Sequence, residues 1–134
     1  MTEHPDNSFL KWVLGYLYTA LGEHEKAISI FLSRSVGRTT NWMLGYAFGA
    51  SGGSEKAVEI LDFQLERRKT QHVPAYMIAT IYMGLGDHER ALEWLERDYQ
   101  EGWQGLFFWG LNRDIKFDPL RDDERFKKLL AVIK

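Results

Sequence analysis

Three stretches of this 134-residue chain repeat one pattern of residues. LGYLYTALGEHEKAISIF begins at Leu14, LGYAFGASGGSEKAVEIL begins at Leu44, and a looser copy, IATIYMGLGDHERALEWL, begins at Ile78. The first two copies are 30 residues apart, and the second and third are 34 apart. Because the difference is about one helical turn, the copies present the same face. The repeat therefore restricts the chain to folds in which one structural unit stacks on itself.

Each copy predicts a helical hairpin. Apolar residues recur at helical spacing in its first half, as at Leu14, Leu17 and Leu21. A glycine that can adopt the left-handed conformation ending a helix follows in each copy, at Gly22, Gly52 and Gly86. A second apolar run with helical spacing comes next. We therefore expect two antiparallel helices in each unit.

The pattern L-G-x2-Y, followed by alanine and then x3-Phe, resembles the tetratricopeptide repeat, a hairpin of about 34 residues. The matching residues of the first copy are Leu14, Gly15, Tyr18, Ala27 and Phe31. Those of the other copies are Leu44, Gly45, Phe48, Ala57 and Leu61, then Ile78, Ala79, Tyr82, Ala91 and Leu95. The resemblance implies an all-α, right-handed superhelical solenoid of three hairpins. Their approximate bounds are 8–35, 38–70 and 72–102.

The C-terminal segment FDPLRDDERFKKLLAVIK predicts a capping helix that covers the open end of the stack. We expect Asp122 to be its N-cap, with an apolar stripe at Phe126, Leu129, Leu130 and Ile133. The preceding GWQGLFFWGLNRDIK predicts a short, buried, aromatic helix. Residues 103–134 thus complete a single domain of residues 1–134. This end of the chain also resembles the C-terminal repeat regions of bacterial signalling and transcription regulators, and the start shows no matching cap.

Composition argues against several classes of function. With 17 basic and 19 acidic residues, the net charge is −2, too weak a field to attract nucleic acid or an anionic membrane. No apolar stretch is long enough to span a membrane, and no cysteine is present. The four histidines form no helical metal pair, and no nucleophile lies beside a base. We expect a cytoplasmic, non-enzymatic protein without cofactor or metal.

The repeats predict a partner-binding groove lined by the first helix of each hairpin. The family's tryptophan normally stands three residues before the leucine, whereas Trp12 and Trp42 stand two before it and should turn toward the concave side. The predicted groove residues are Phe9, Trp12, Tyr16, Trp42, Met43, Tyr46, Tyr76, Met77, Thr80 and Met83. Such a surface favours an apolar or aromatic protein segment, because aromatic residues supply binding hot spots.

Two alternatives remain open at this point. The groove could be filled by a further domain, by the GLFFWG segment or by a second subunit, since aromatic stripes are more often packed than free. The chain could also be a self-association or regulatory domain of a larger bacterial protein, and a homodimer is compatible with its open N-terminal end. The family's clamp for chaperone C-termini is absent, because its positions carry Trp12, Tyr16, Met43, Val73 and Met77.

Overall fold

A computed structural model describes residues 8–33, 42–102 and 114–132. Their helices are α1 (Ser8–Ala20), α2 (His24–Leu32), α3 (Trp42–Ala50), α4 (Ser54–Arg68), α5 (Ala75–Leu85), α6 (His88–Gln100), a 3-10 helix (Ile115–Leu120) and α7 (Glu124–Val132). No strand occurs within these ranges. Of the predicted aromatic helix, residues 102–116, the structure describes only Gly102 and Asp114–Lys116. Its core, residues 103–113, lies outside the described residues.

The helices form three hairpins, α1–α2, α3–α4 and α5–α6, which pack side by side along the chain. The second helix of one hairpin contacts the first helix of the next, and α3 also packs directly on α5. The predicted glycines make the turns, with φ of +79° at Gly22, +97° at Gly52 and +81° at Gly86. The predicted fold class, an all-helical solenoid of hairpins resembling tetratricopeptide repeats, is confirmed.

Small residues allow the closest contacts between helices. A Cβ atom built on Gly15 would lie 2.2 Å from Cε1 of Phe31, so glycine is required where α1 meets α2. Two backbones approach closely between α3 and α5, where a Cβ on Gly84 would lie 2.5 Å from the carbonyl oxygen of Tyr46. A Cβ on Gly49 would in turn lie 2.6 Å from the carbonyl carbon of Gly84. These glycines fix the spacing of neighbouring hairpins.

The core is centred on α3 and α5, which are enclosed by other helices. α5 contacts α3, α4, α6 and the 3-10 helix, and eight of its eleven residues are buried. α3 carries no charged residue and is likewise apolar on all sides. A helix of this kind is stable only when it is surrounded. The central position of α3 and α5 therefore follows from their composition.

The cap helix α7 packs on α6, and its Phe126 and Leu129 are 0% and 6% exposed. An ion-pair network reinforces the contact, because the Arg125 guanidinium donates to both carboxylate oxygens of Glu96, at 3.0 and 2.8 Å. The same guanidinium donates to Glu89 at 2.7 Å. The last hairpin is thus covered as expected.

The predicted N-cap of α7 was wrong by one residue. The helix begins at Glu124, and the carboxylate of Asp123 accepts the Arg125 amide at 2.8 Å. The Asp123 carbonyl accepts the Lys127 amide at 3.0 Å, the first hydrogen bond of the helix. Asp122 is exposed. Two consecutive aspartates are equally good caps in sequence, and the structure uses the second.

Candidate partner-binding site

The ten predicted groove residues fall into three environments. Five lie in the interior at 6% exposure or less: Trp42, Met43, Tyr76, Thr80 and Met83. Four are half-buried: Trp12, Tyr16, Tyr46 and Met77. Phe9 is 76% exposed. The five buried residues offer a partner almost no surface, so the ten predicted residues do not form one continuous exposed groove. Binding at the accessible positions stays a prediction.

The position of each hairpin in the stack explains these differences. Trp12 and Trp42 occupy the same repeat position, but Trp12 belongs to α1, which packs mainly on α2, and Trp42 belongs to the enclosed α3. The Trp42 ring meets the Tyr76 ring edge to face at 6.0 Å between centroids. Trp12 instead stacks on Tyr16 at 5.7 Å, with 9° between the ring planes. Burial of the same side chain therefore depends on what flanks its helix.

Three tyrosines, one from the first helix of each hairpin, lie close enough to Asp114 for its charge to raise their pKa values. We call Tyr16, Tyr46 and Tyr76 the tyrosine face. The Tyr76 hydroxyl donates a hydrogen bond to Oδ2 of Asp114. The backbone amide of Tyr76 donates a hydrogen bond to the buried carboxylate of Asp98 at 3.1 Å, which links α5 to α6. The tyrosine face thus holds a segment that lies 38 residues further along the chain.

That segment binds the tyrosine face through charge and aromatic contacts. The Lys116 ammonium lies 2.8 and 3.0 Å from the two carboxylate oxygens of Asp114, and the side chains of this pair are 4% and 3% exposed. The same ammonium lies 5.3 Å from the centroid of the Tyr16 ring, within cation–π range. Phe117, fully buried, contacts the Tyr76 ring at 5.6 Å.

Sequence reasoning missed Asp114, Lys116 and Phe117 as occupants of this face. NRDIKFDP shows neither repeat periodicity nor a motif, so the sequence predicted a buried segment up to Lys116 without indicating which residues it contacts. A lysine and an aspartate two residues apart are more often solvated than buried, because a buried charge requires a partner. Here the two charges are partners of each other.

Burial and the Asp114 charge both raise the pKa values of the tyrosine face. Burial, and then the negative charge of Asp114, raises the pKa of the Tyr16 hydroxyl above its ordinary value. The pKa of Tyr46 is raised by burial, by Asp114 and by Asp118. Burial, and then the Asp114 charge and hydrogen bond, raises the pKa of Tyr76 far more strongly. A tyrosine is protonated at neutral pH even at its ordinary pKa of about 10, so the raised pKa values keep the three hydroxyls as hydrogen-bond donors to still higher pH.

A cavity of about 270 Å³ opens near the N-terminal ends of α3 and α5. Its walls are formed by Trp42, Arg67, His72, Val73, Pro74 and Met77. The Arg67 guanidinium donates to Gln64 at 2.9 Å and to Gln71 at 3.3 Å, so its orientation is fixed. This cavity is large enough for one apolar side chain and includes two of the predicted groove residues.

Residues 8–33, 42–102 and 114–132 contain no group of three or more histidine, aspartate or glutamate side chains placed to hold a metal. None of the helices described combines the length and the apolar character needed to cross a membrane. The tyrosine face thus combines ring faces and hydroxyl donors with an intramolecular contact to the chain's own 3-10 segment.

The fold is that of a helical-repeat protein. The tetratricopeptide repeat family model matches residues 10–33 and 75–97, which correspond to the first and third hairpins. The two matches support a tetratricopeptide repeat protein, a class that generally mediates protein–protein interactions and is typically non-catalytic. Comparisons with curated proteins and with solved structures gave no match. The kinship with bacterial regulators and the cytoplasmic location stay predictions.

Proposed function

We propose that this chain is a non-catalytic interaction module that binds an apolar or aromatic segment of a partner protein. The partner segment lies on the accessible part of the concave surface, over Trp12, Tyr16 and Tyr46 and beside the chain's own 3-10 helix. One observation carries the proposal: the tyrosine face already holds a polypeptide segment, with a hydrogen bond, an aromatic contact and a cation–π contact. A surface that binds one segment of chain has the chemistry to bind another.

The accessible rings favour an apolar or aromatic ligand. Trp12 and Tyr16 are stacked and half-buried, so they offer a rigid platform that loses little conformational entropy on binding. Phe9, one helical turn before Trp12, extends this platform with a largely exposed ring. The nearby Lys116 charge is neutralised by Asp114, so an acidic ligand gains no free cation there. Aromatic anchors of this kind supply most of the binding energy in protein interfaces.

A phage-displayed library of random twelve-residue peptides tests the proposal on the intact chain. We expect selection of peptides rich in aromatic and apolar residues. The best selected peptide, made synthetically, should bind Trp12→Ala more weakly by a factor of about 30 or more, which corresponds to about 2 kcal/mol. Val58→Ala is the matched control, because Val58 is 41% exposed on α4, outside this surface.

Far-UV circular dichroism must show equal helicity in the two variants, so that lost binding is not lost folding. A library that yields no enriched peptide, or peptides that bind Trp12→Ala as well as the native chain, would contradict the proposed site. Selection of acidic peptides instead would contradict its chemistry.

A further inference from the structure

Arg67 differs from the other half-buried arginines in the groups that hold its side chain. Three others among the described residues each form an ion pair with a carboxylate: Arg68, Arg121 and Arg125. The Arg67 guanidinium donates instead to the neutral amide oxygens of Gln64 and Gln71, at 2.9 and 3.3 Å. Among residues 8–33, 42–102 and 114–132, no aspartate or glutamate lies within ion-pair distance of Arg67. Its positive charge is therefore not neutralised within the described part of the chain.

The composition of the two internal stretches outside the described ranges leads to the same result. Residues 34–41 and 103–113 contain no aspartate or glutamate. Neither stretch can supply a carboxylate side chain to Arg67. An arginine that is partly removed from water favours an anion beside it, because its planar fork can donate two parallel hydrogen bonds to one carboxylate.

The Arg67 side chain forms part of the wall of the 270 Å³ cavity near the N-terminal ends of α3 and α5. Most of the remaining wall is apolar: Trp42, Val73, Pro74 and Met77. This wall is held in place, because the Trp42 ring meets the Tyr76 ring edge to face and Val73 is 1% exposed. The guanidinium is held by Gln64, which is itself fully buried. The cavity thus combines a positioned cation with a positioned apolar wall.

The size of the cavity favours a small molecule as its occupant. At about 270 Å³, the cavity is slightly smaller than the roughly 300–1,000 Å³ typical of sites for drug-sized ligands. One ring with a short chain fits inside it, whereas a peptide segment of several residues does not. The ligand that matches this wall carries one negative charge on an apolar body.

We propose that this cavity is a binding site for a small carboxylic acid with an apolar or aromatic body. The carboxylate accepts hydrogen bonds from the Arg67 guanidinium, two of whose five N–H groups are used by the glutamines. The apolar body contacts Trp42 and Met77. Inorganic phosphate offers the guanidinium similar oxygens, but it has no apolar part to leave water for this wall.

This site is separate from the proposed peptide site. The peptide site consists of Trp12, Tyr16 and Tyr46, which do not line the cavity. Trp42 and Met77, which the sequence assigned to one groove with those residues, belong instead to the wall of the cavity. The small-acid site therefore does not depend on the proposed function.

A nuclear magnetic resonance titration with 3-phenylpropanoate tests the site on the intact, nitrogen-15-labelled chain. We expect saturable shifts of the backbone amide signals of Val73 and Met77, with a dissociation constant of about 1 mM or lower. Three further probes separate the charge from the apolar body. The neutral 3-phenylpropanamide lacks the charge, whereas acetate and inorganic phosphate lack the ring, and each should bind at least tenfold more weakly.

Arg67→Gln removes the cation and should weaken the binding of 3-phenylpropanoate at least tenfold. Lys69→Gln is the matched control, because it also removes one positive charge at the end of α4, from an exposed side chain that pairs with Glu66. Its dissociation constant should change less than twofold at about 0.15 M salt, where exposed charges are screened beyond about 8 Å. Circular dichroism reports the helicity of both variants, and the comparison of probes on the native chain decides if Arg67→Gln loses helicity.

Four results would overturn the small-acid site. They are no saturable shift at up to about 10 mM 3-phenylpropanoate, equal affinity for the acid and its amide, equal affinity for the acid and acetate or phosphate, and equal affinity in folded Arg67→Gln and Lys69→Gln. Arg67→Gln should still bind the selected peptide, and Trp12→Ala should still bind 3-phenylpropanoate. The two proposals therefore fail separately.

Discussion

Replacing Tyr76 with phenylalanine removes a single oxygen atom from the contact between the tyrosine face and the 3-10 segment. The Asp114 carboxylate then loses the hydroxyl donor at Oδ2 and keeps the Lys116 ammonium at 2.8 and 3.0 Å. A hydrogen bond to a charged group contributes about 1.5–3 kcal/mol, and the remaining donors place the expected loss near about 2 kcal/mol. The phenylalanine ring fills the same space, so no cavity forms.

Urea unfolding, followed by circular dichroism, measures this loss. With a slope of about 1.5–2 kcal/mol per molar urea, the midpoint should fall by about 1 M. Tyr99→Phe is the matched control, because Tyr99 is 53% exposed, and its midpoint should change by less than about 0.3 M. Equal midpoints for the two variants would refute the anchoring role of the Tyr76 hydroxyl.

Asp114→Asn extends the same argument to the buried charge. It leaves the Lys116 ammonium, on a side chain 4% exposed, without its carboxylate. Removing one member of a buried ion pair costs about 3–5 kcal/mol, so this variant should be less stable than Tyr76→Phe. A smaller loss in Asp114→Asn than in Tyr76→Phe would show that the ion pair does not hold the segment in place.

Two further predictions concern the stack and its cap. Gly84→Ala should destabilise the protein by about 1–3 kcal/mol from overpacking, despite the higher helix propensity of alanine, because its Cβ meets the backbone of α3. Gly45→Ala, whose Cβ meets only isoleucine side chains at 3.0 Å or more, is the control, and equal urea midpoints would contradict the tight backbone contact. The Arg125 hydrogen bond lowers the pKa of Glu96 below 4.5, so its contribution is present above that pH and is lost as the pH falls through the lowered value. Because both side chains are about one-third exposed, Glu96→Gln should cost about 1 kcal/mol at pH 7, and this loss should shrink as the pH falls below 4.5. A loss independent of pH would argue against the ion pair.

The sequence by itself determined the repeat unit and its turns. Gly22, Gly52 and Gly86 have the predicted positive φ, because the conformation that ends a helix strongly favours glycine at that point. Ala27, Ala57 and Ala91 are fully buried at the predicted contacts. These features depend on a few neighbouring residues and recur in each copy, so local pattern was sufficient to predict them.

Tertiary structure alone decided what covers each surface. The bond between Tyr76 and Asp114 joins residues 38 apart, and no periodicity links them. Leu14 and Leu44 occupy the same position of the repeat, yet one is 37% exposed and the other 2%, because α3 packs against α2, α4 and α5, whereas α1 packs mainly against α2. A repeat pattern predicts which side of a helix must be buried. The order of the units and the path of the C-terminal segment decide which side is buried in the folded protein.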